Sequence, residues 1–139
     1  MDKCEEGTKE LIQNVINGDL ENVKRIVKSG VDIDASEGIS RGYYTPAIMA
    51  ALSGHDHIID YLASCGADLD KPDVFGHPPI AHAVLTNNIS CIMALHAHGA
   101  SLDFVDLDGK SIIDLCIDSA CVDQETTNIV LELYQKNAA

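Results

Sequence analysis

The chain has 139 residues, of which 46% are hydrophobic, and this is enough for one domain with a packed core. Its formal net charge of −13 at pH 7 argues against nucleic-acid binding and against docking on anionic membranes. There is no run of 18 apolar residues that would predict a transmembrane helix. Because the start is polar and the five cysteines form no C-x-x-C pair, we expect reduced thiols in a cytoplasmic or nuclear protein.

Two helices are predicted in the first part of the chain. The segment from Lys3 to Asn17 combines an apolar stripe with a charged side. Asp19 can cap a second amphipathic helix, which Gly30 ends. The glycines and serines from Ala35 to Tyr44 show no periodicity and therefore predict a loop.

The central stretch predicts a pair of short helices. Thr45 and Pro46 favour a helix start, since proline fits the first turn and the threonine hydroxyl can accept a free N–H. Gly54 can end this helix in a left-handed conformation. A second apolar segment follows and ends at Gly66.

The same pattern returns at a fixed interval. Pro46 and Pro79 are 33 residues apart, and so are two pairs of glycines, whereas the first and second units are offset by 36. The spacing predicts four units over residues 1–34, 35–72, 73–105 and 106–139. Three extra residues lie between Ala35 and Tyr44, and about five more near Cys121 to Asn128, where Asp123 is the predicted cap of the last helix.

These features resemble the ankyrin repeat, with its period of about 33 residues and its T-P-L-H-x-A signature. The resemblance implies an all-α solenoid of about four stacked helix-turn-helix units with β-hairpin-like loops. The signature histidine is replaced by Ile48, Ala81 and Asp114. We therefore expect neighbouring units to depend on apolar packing instead of hydrogen bonds from that histidine.

The resemblance also implies a function in protein–protein interaction, as a regulator or adaptor without catalysis or cofactor. In this family, partners usually bind the concave surface made by loop tips and first helices. The alternatives are a structural subunit of a larger assembly, or binding through the loop from Ser36 to Gly42. We expect a monomer whose partner is another protein, with a basic surface as one option. The matching positions are Arg41, Tyr43, Tyr44, Leu52, Val74, Phe75, His77, Leu85, Leu107 and Lys110.

The sequence contains aspartates and histidines of types that can bind metal ions or take part in catalysis. A row of aspartates, from Asp32 to Asp108, follows the loops and is expected mainly to cap turns. Two histidine pairs are spaced two residues apart, which places them on different helix faces, and His77 and His82 are five apart across a helix start. With no G-x-S-x-G motif and no phosphate loop, the sequence favours neither a metal site nor catalysis, and a metal-binding or enzymatic protein is the least favoured alternative.

Overall fold

The computed structural model describes residues 3–36 and 42–138 of the chain. Over these residues the chain forms α-helices joined by loops, without a named strand, so the all-α prediction is confirmed. The helices are α1 (Lys3–Asn17), α2 (Leu20–Lys28), α3 (Pro46–Ser53), α4 (Asp56–Ser64), α5 (Pro79–Leu85), α6 (Ile89–Ala97), α7 (Ile112–Asp118) and α8 (Gln124–Ala138).

The first helices of successive units begin in three different ways. At α3 the Thr45 hydroxyl accepts the N–H of Ile48 at 3.1 Å, and Pro46 occupies the first turn. At α7, Ser111 and Asp114 form a reciprocal capping box. Helix α5 begins after Pro78 without a side-chain cap. The threonine can thus be replaced without losing the helix start.

The helices form two layers. Helices α1, α3, α5 and α7 pack on one another in order, and α2 packs on α4, which packs on α6. The core lies between the layers and includes Leu11, Ile59, Ile80 and Ile92, all fully buried. The repeats therefore bury one continuous core, as in a solenoid. Within the described ranges, no helix is long and apolar enough to cross a membrane.

Neighbouring units are also joined by hydrogen bonds near the ends of the first helices. The Nε2 of His55 lies 3.0 Å from the carbonyl oxygen of Ile16, and the side-chain amide of Asn88 donates to the carbonyl of Ala51 at 2.9 Å. The expectation that apolar packing replaces such bonds is therefore wrong in part. The polar links come from the turn that follows each first helix, rather than from the signature position.

Aspartates join the units at their opposite edge. Asp34 accepts the N–H of Asp68 at 2.9 Å, and one unit later Asp70 accepts the N–H of Ser101 at 2.8 Å. Each of these two carboxylates holds the backbone of the following unit in register, which differs from the predicted capping of turns. Asp32 and Asp68 do cap turns as predicted, because they accept the N–H groups of Asp34 and Asp70 at 3.0 and 2.9 Å.

The two predicted insertions have different outcomes. The connection between α7 and α8 covers residues 119–123, and it is longer than the turns 54–55 and 86–88 of the preceding units. Asp123 accepts the N–H of Thr126 at 2.8 Å, as predicted for the cap of the last helix. The insertion between Ala35 and Tyr44 falls largely on residues 37–41, outside the described residues.

A glycine substitution tests the repeat register. Gly66 has φ +87°, and the N–H of Ala67 bonds to the carbonyl of Leu62 at 3.0 Å, which closes the end of α4. A Cβ added at Gly66 meets nothing within 4 Å, so only backbone strain opposes a side chain. Gly66→Val should lower the free energy of unfolding by about 1–3 kcal/mol. Gly66→Asn is the matched control, and it should cost less because asparagine tolerates this conformation. Equal stability of both variants in denaturant titrations would contradict the assigned register.

Candidate functional site

The loop that precedes α5 is built around one buried carboxylate. Asp73 Oδ1 accepts the N–H groups of Phe75 and His77, at 2.9 and 3.0 Å. The backbone N–H of Asp73 donates to the carbonyl of His77 at 3.1 Å, and Gly76 turns the chain with φ +83°. We call residues 73–77 the third loop.

The loop that precedes α7 repeats this arrangement with a different sequence. Asp106 Oδ1 accepts the N–H groups of Asp108 and Lys110, both at 2.9 Å, and Gly109 turns the chain with φ +78°. We call residues 106–110 the fourth loop. Both loops thus contain an aspartate and a glycine three residues later, and both have the same hydrogen-bond pattern.

Backbone hydrogen bonds join neighbouring loops side by side. The N–H of Val74 donates to the carbonyl of Gly42 at 2.9 Å, and that of Leu107 donates to the carbonyl of Phe75 at 3.0 Å. A Cβ on Gly76 would lie 3.0 Å from the backbone of the fourth loop, so the approach is close. The loops therefore form one continuous ribbon, in which backbone groups of each loop bond to the backbone of its neighbour.

The apolar side chains of this ribbon remain exposed. Phe75 is 58% exposed and Leu107 78% exposed, and Tyr43 and Val74 are exposed as well. Phe75 and Leu107 are therefore not buried beneath the adjacent loops, which are joined through their backbones. We call Tyr43, Val74, Phe75 and Leu107 the fingertip row.

The other predicted site residues lie at the base of the loops or are already paired. Tyr44 is half-buried, and its ring meets the imidazole of His82 edge-on at 5.6 Å. Lys110 pairs with Asp118 at 3.2 Å. Leu52 and Leu85, on the first helices, are half-buried. Arg41 lies outside the described residues.

Sequence reasoning missed an exposed apolar residue on a first helix. Ile117, in the last turn of α7, is 71% exposed. It follows Ile113 by four residues, so the two lie on one helix face, and this spacing could have identified it. A first helix of the stack therefore carries an apolar group in addition to the fingertip row.

A histidine–carboxylate network at the base of the loops was also missed. His82 Nε2 donates to Asp73 Oδ2 at 2.8 Å, and His77 Nε2 donates to Asp106 Oδ2 at 2.9 Å. The two imidazoles meet edge-on with centroids 5.7 Å apart. The signature histidine of the family would fall at Ala81, and His82 is the next residue.

Burial and hydrogen bonding set the charge states in this network. Burial lowers the pKa of His82, although the hydrogen bond to Asp73 acts in the opposite direction. For Asp106, burial alone would raise the pKa, but hydrogen bonds from the Lys110 N–H, His77 and the Asp108 N–H bring it below its usual value. Because both pKa values are lowered, His82 is neutral and Asp106 is ionised at neutral pH.

One member of the fingertip row has a strained backbone. Tyr43 has φ +60° and stands 33 residues before Gly76 and 66 before Gly109, which take the same conformation. A residue other than glycine in this conformation costs roughly 1–2 kcal/mol of stability. Glycine avoids this strain but costs about 0.5–1 kcal/mol because its unfolded state is more flexible. Tyr43→Gly should therefore raise the free energy of unfolding by about 0.5–1 kcal/mol in denaturant titrations. Tyr43→Val, the control, should lower it, and a clear loss of stability in Tyr43→Gly would show that the ring supports the fold.

Comparison with known proteins gives the same family as the geometry. The family model described as ankyrin repeats matches residues 11–106 and 49–138. Ankyrin repeat domain-containing protein 37 of Homo sapiens is 26% identical over 99 residues, covering 71% of this chain and 61% of that protein. RelA-associated inhibitor of Mus musculus is 31% identical over 110 residues, covering 76% of this chain and 13% of that protein.

A third relative, serine/threonine-protein kinase 12 of Arabidopsis thaliana, is 32% identical over 83 residues, covering 60% of this chain and 17% of that protein. The chain thus spans between 13% and 61% of the length of these relatives. What the matches share is the repeat array. Because the family model covers most of the chain, the protein belongs to the ankyrin-repeat family.

Proposed function

We propose that this chain binds another protein through the fingertip row and the adjoining face of the first helices, as a regulator or adaptor without catalysis. Ankyrin repeats are generally protein-interaction modules. The observation that carries the proposal is the row of exposed apolar side chains on loops that are hydrogen-bonded to each other. Contiguous exposed apolar groups usually mark an interaction site.

The loops are suited to binding because their backbones are already ordered. Asp73 and Asp106 each hold two N–H groups of their own loop, and the neighbouring loops share further bonds. A partner that binds rigid loops need not overcome the entropy of ordering them, which otherwise reduces affinity. Phe75 and Leu107 can then act as anchors that fill pockets on the partner.

Charge supports a partner with basic groups around an apolar centre. Asp103 and Asp108 are exposed beside the fingertip row, and Lys110 is paired with Asp118. The whole chain carries a net charge of −13. Complementary charge around an interface mainly accelerates association and excludes wrong partners. We therefore propose that binding weakens with added salt, chiefly through slower association.

Two observations support a regulatory role in the cytoplasm or nucleus, and a third supports the absence of catalysis by thiols. The name RelA-associated inhibitor describes a relative that inhibits, although the match spans 13% of it. Cys65 and Cys121 are exposed free thiols, which fits a reducing compartment. Burial raises the pKa of Cys91 to about 11 and that of Cys116 above its usual value, so both are poor nucleophiles.

Alanine substitutions test the binding row. Affinity purification of the tagged protein with mass spectrometry identifies the partner, and calorimetry then measures its Kd. Phe75→Ala and Leu107→Ala should each weaken binding by about thirtyfold, as for a hot-spot loss of 2 kcal/mol. Their unfolding midpoints should stay nearly unchanged because both side chains are exposed.

The matched control is Met93→Ala, on the outer helix α6, where the side chain is 46% exposed. It should change neither affinity nor stability. Wild-type affinity in both loop variants would refute the proposed surface and direct attention to the loop from Ser36 to Gly42. Strong destabilisation of both would show that the side chains support the fold instead.

A further inference from the structure

Three potential metal ligands converge where the third loop meets α5. Asp73 and His77 belong to the loop, and His82 is the fourth residue of α5. One donor atom of each lies within 4.8 Å of the donor atoms of the other two. We propose that these side chains bind one divalent transition-metal ion of the zinc type.

The donor set selects this class of ion. Two imidazoles and one carboxylate suit zinc and its first-row neighbours, whereas calcium and magnesium prefer oxygen ligands throughout. A tetrahedral zinc ion with bonds of about 2.0–2.1 Å holds its ligands roughly 3.3 Å apart. The donor atoms are at most 4.8 Å apart, so only small side-chain movements are required. Three protein ligands leave a fourth position for water or for a group from a partner.

Surrounding hydrogen bonds already orient two of the ligands. Asp73 Oδ1 is held by the N–H groups of Phe75 and His77, which leaves Oδ2 for the ion. His77 donates from Nε2 to Asp106, so its Nδ1 carries a lone pair. Carboxylate partners of this kind fix the orientation of ligating histidines and raise their basicity.

The hydrogen bond between His82 and Asp73 competes with the ion. In the structure, His82 Nε2 donates its proton in a hydrogen bond to Asp73 Oδ2 at 2.8 Å. If His82 ligates through Nε2, the ion takes the place of that proton, which the neutral imidazole then carries on Nδ1. The site can therefore exchange one hydrogen bond for two metal–ligand bonds without burying a new charge-bearing side chain.

Solvent can reach the site through His77. The His77 side chain is 19% exposed, whereas those of His82 and Asp73 are 10% and 0% exposed. An ion bound here would connect the third loop to α5 and, through Asp106, to the fourth loop. Metal binding is independent of the proposed partner binding and can be measured on the isolated chain.

Titration of the chelator-treated, desalted chain with ZnCl2 tests the site. Calorimetry should show one ion per chain, and CoCl2 should give the visible absorption of tetrahedral cobalt. His77→Gln and His82→Gln should each weaken zinc binding by about tenfold or more, since even outer-shell changes typically cost 10–100-fold. Zinc should raise the unfolding midpoint of the unsubstituted chain and not that of His77→Gln.

His98→Gln is the matched control, because His98 bonds to Asp60 at 2.8 Å as a pair outside this cluster. It should bind zinc like the unsubstituted chain. Repeating the titration with Cys4→Ser, Cys65→Ser and Cys121→Ser combined excludes binding by these three thiols, and Cys91 and Cys116 are buried. Should His82→Gln fail to fold, the more exposed His77 supplies the deciding variant. The absence of saturable binding, or unsubstituted affinity in His77→Gln, would overturn the proposal.

Discussion

The arrangement of the third and fourth loops depends on the hydrogen bonds accepted by the aspartate at the start of each of them. In the third loop, one oxygen of Asp73 accepts two backbone N–H groups, and the other accepts the imidazole N–H of His82. A buried carboxylate is costly unless its oxygens are satisfied, and here both are. The same carboxylate therefore determines the backbone path of the loop and attaches the loop to α5.

Because the third and fourth loops are each stabilised by their own aspartate and by a neighbouring backbone, these two loops do not need the side chains at their tips to fold. Phe75 and Leu107 leave most of their surface in water, although burial would stabilise the fold. Tyr43 adds backbone strain at a place where the third and fourth loops have glycine. Such features reduce stability where they occur, and strained or apolar surface residues concentrate at functional sites. Stability alone does not explain these residues, whereas the proposed binding to another protein would explain them.

Much of the fold could be predicted from local signals in the sequence. The bounds of α1, the cap at Asp123 and the left-handed Asn87, with φ +57°, all follow from residue type and repeat spacing. The network of His77 and His82 could not be predicted in this way. His77 bonds to a residue 29 positions away, and His82 to one nine positions away across a loop, so no helical or strand periodicity connects them.

The spacing of the fingertip row depends on how the units are held in register. Fully buried Ala50 and Ala51 let the first helices approach closely. The hydrophobic effect is non-directional, so directional hydrogen bonds add to the register of the units at both edges. The bonds from the side chains of Asp34 and Asp70 act on one edge, and those from His55 and Asn88 act on the other. Since these bonds recur at nearly the same interval as the loops, the positions of the exposed tips relative to each other are set by the polar bonds between units. Binding of a partner to two or more side chains of the fingertip row would therefore depend on the distance between repeats as well as on the chemistry of each side chain.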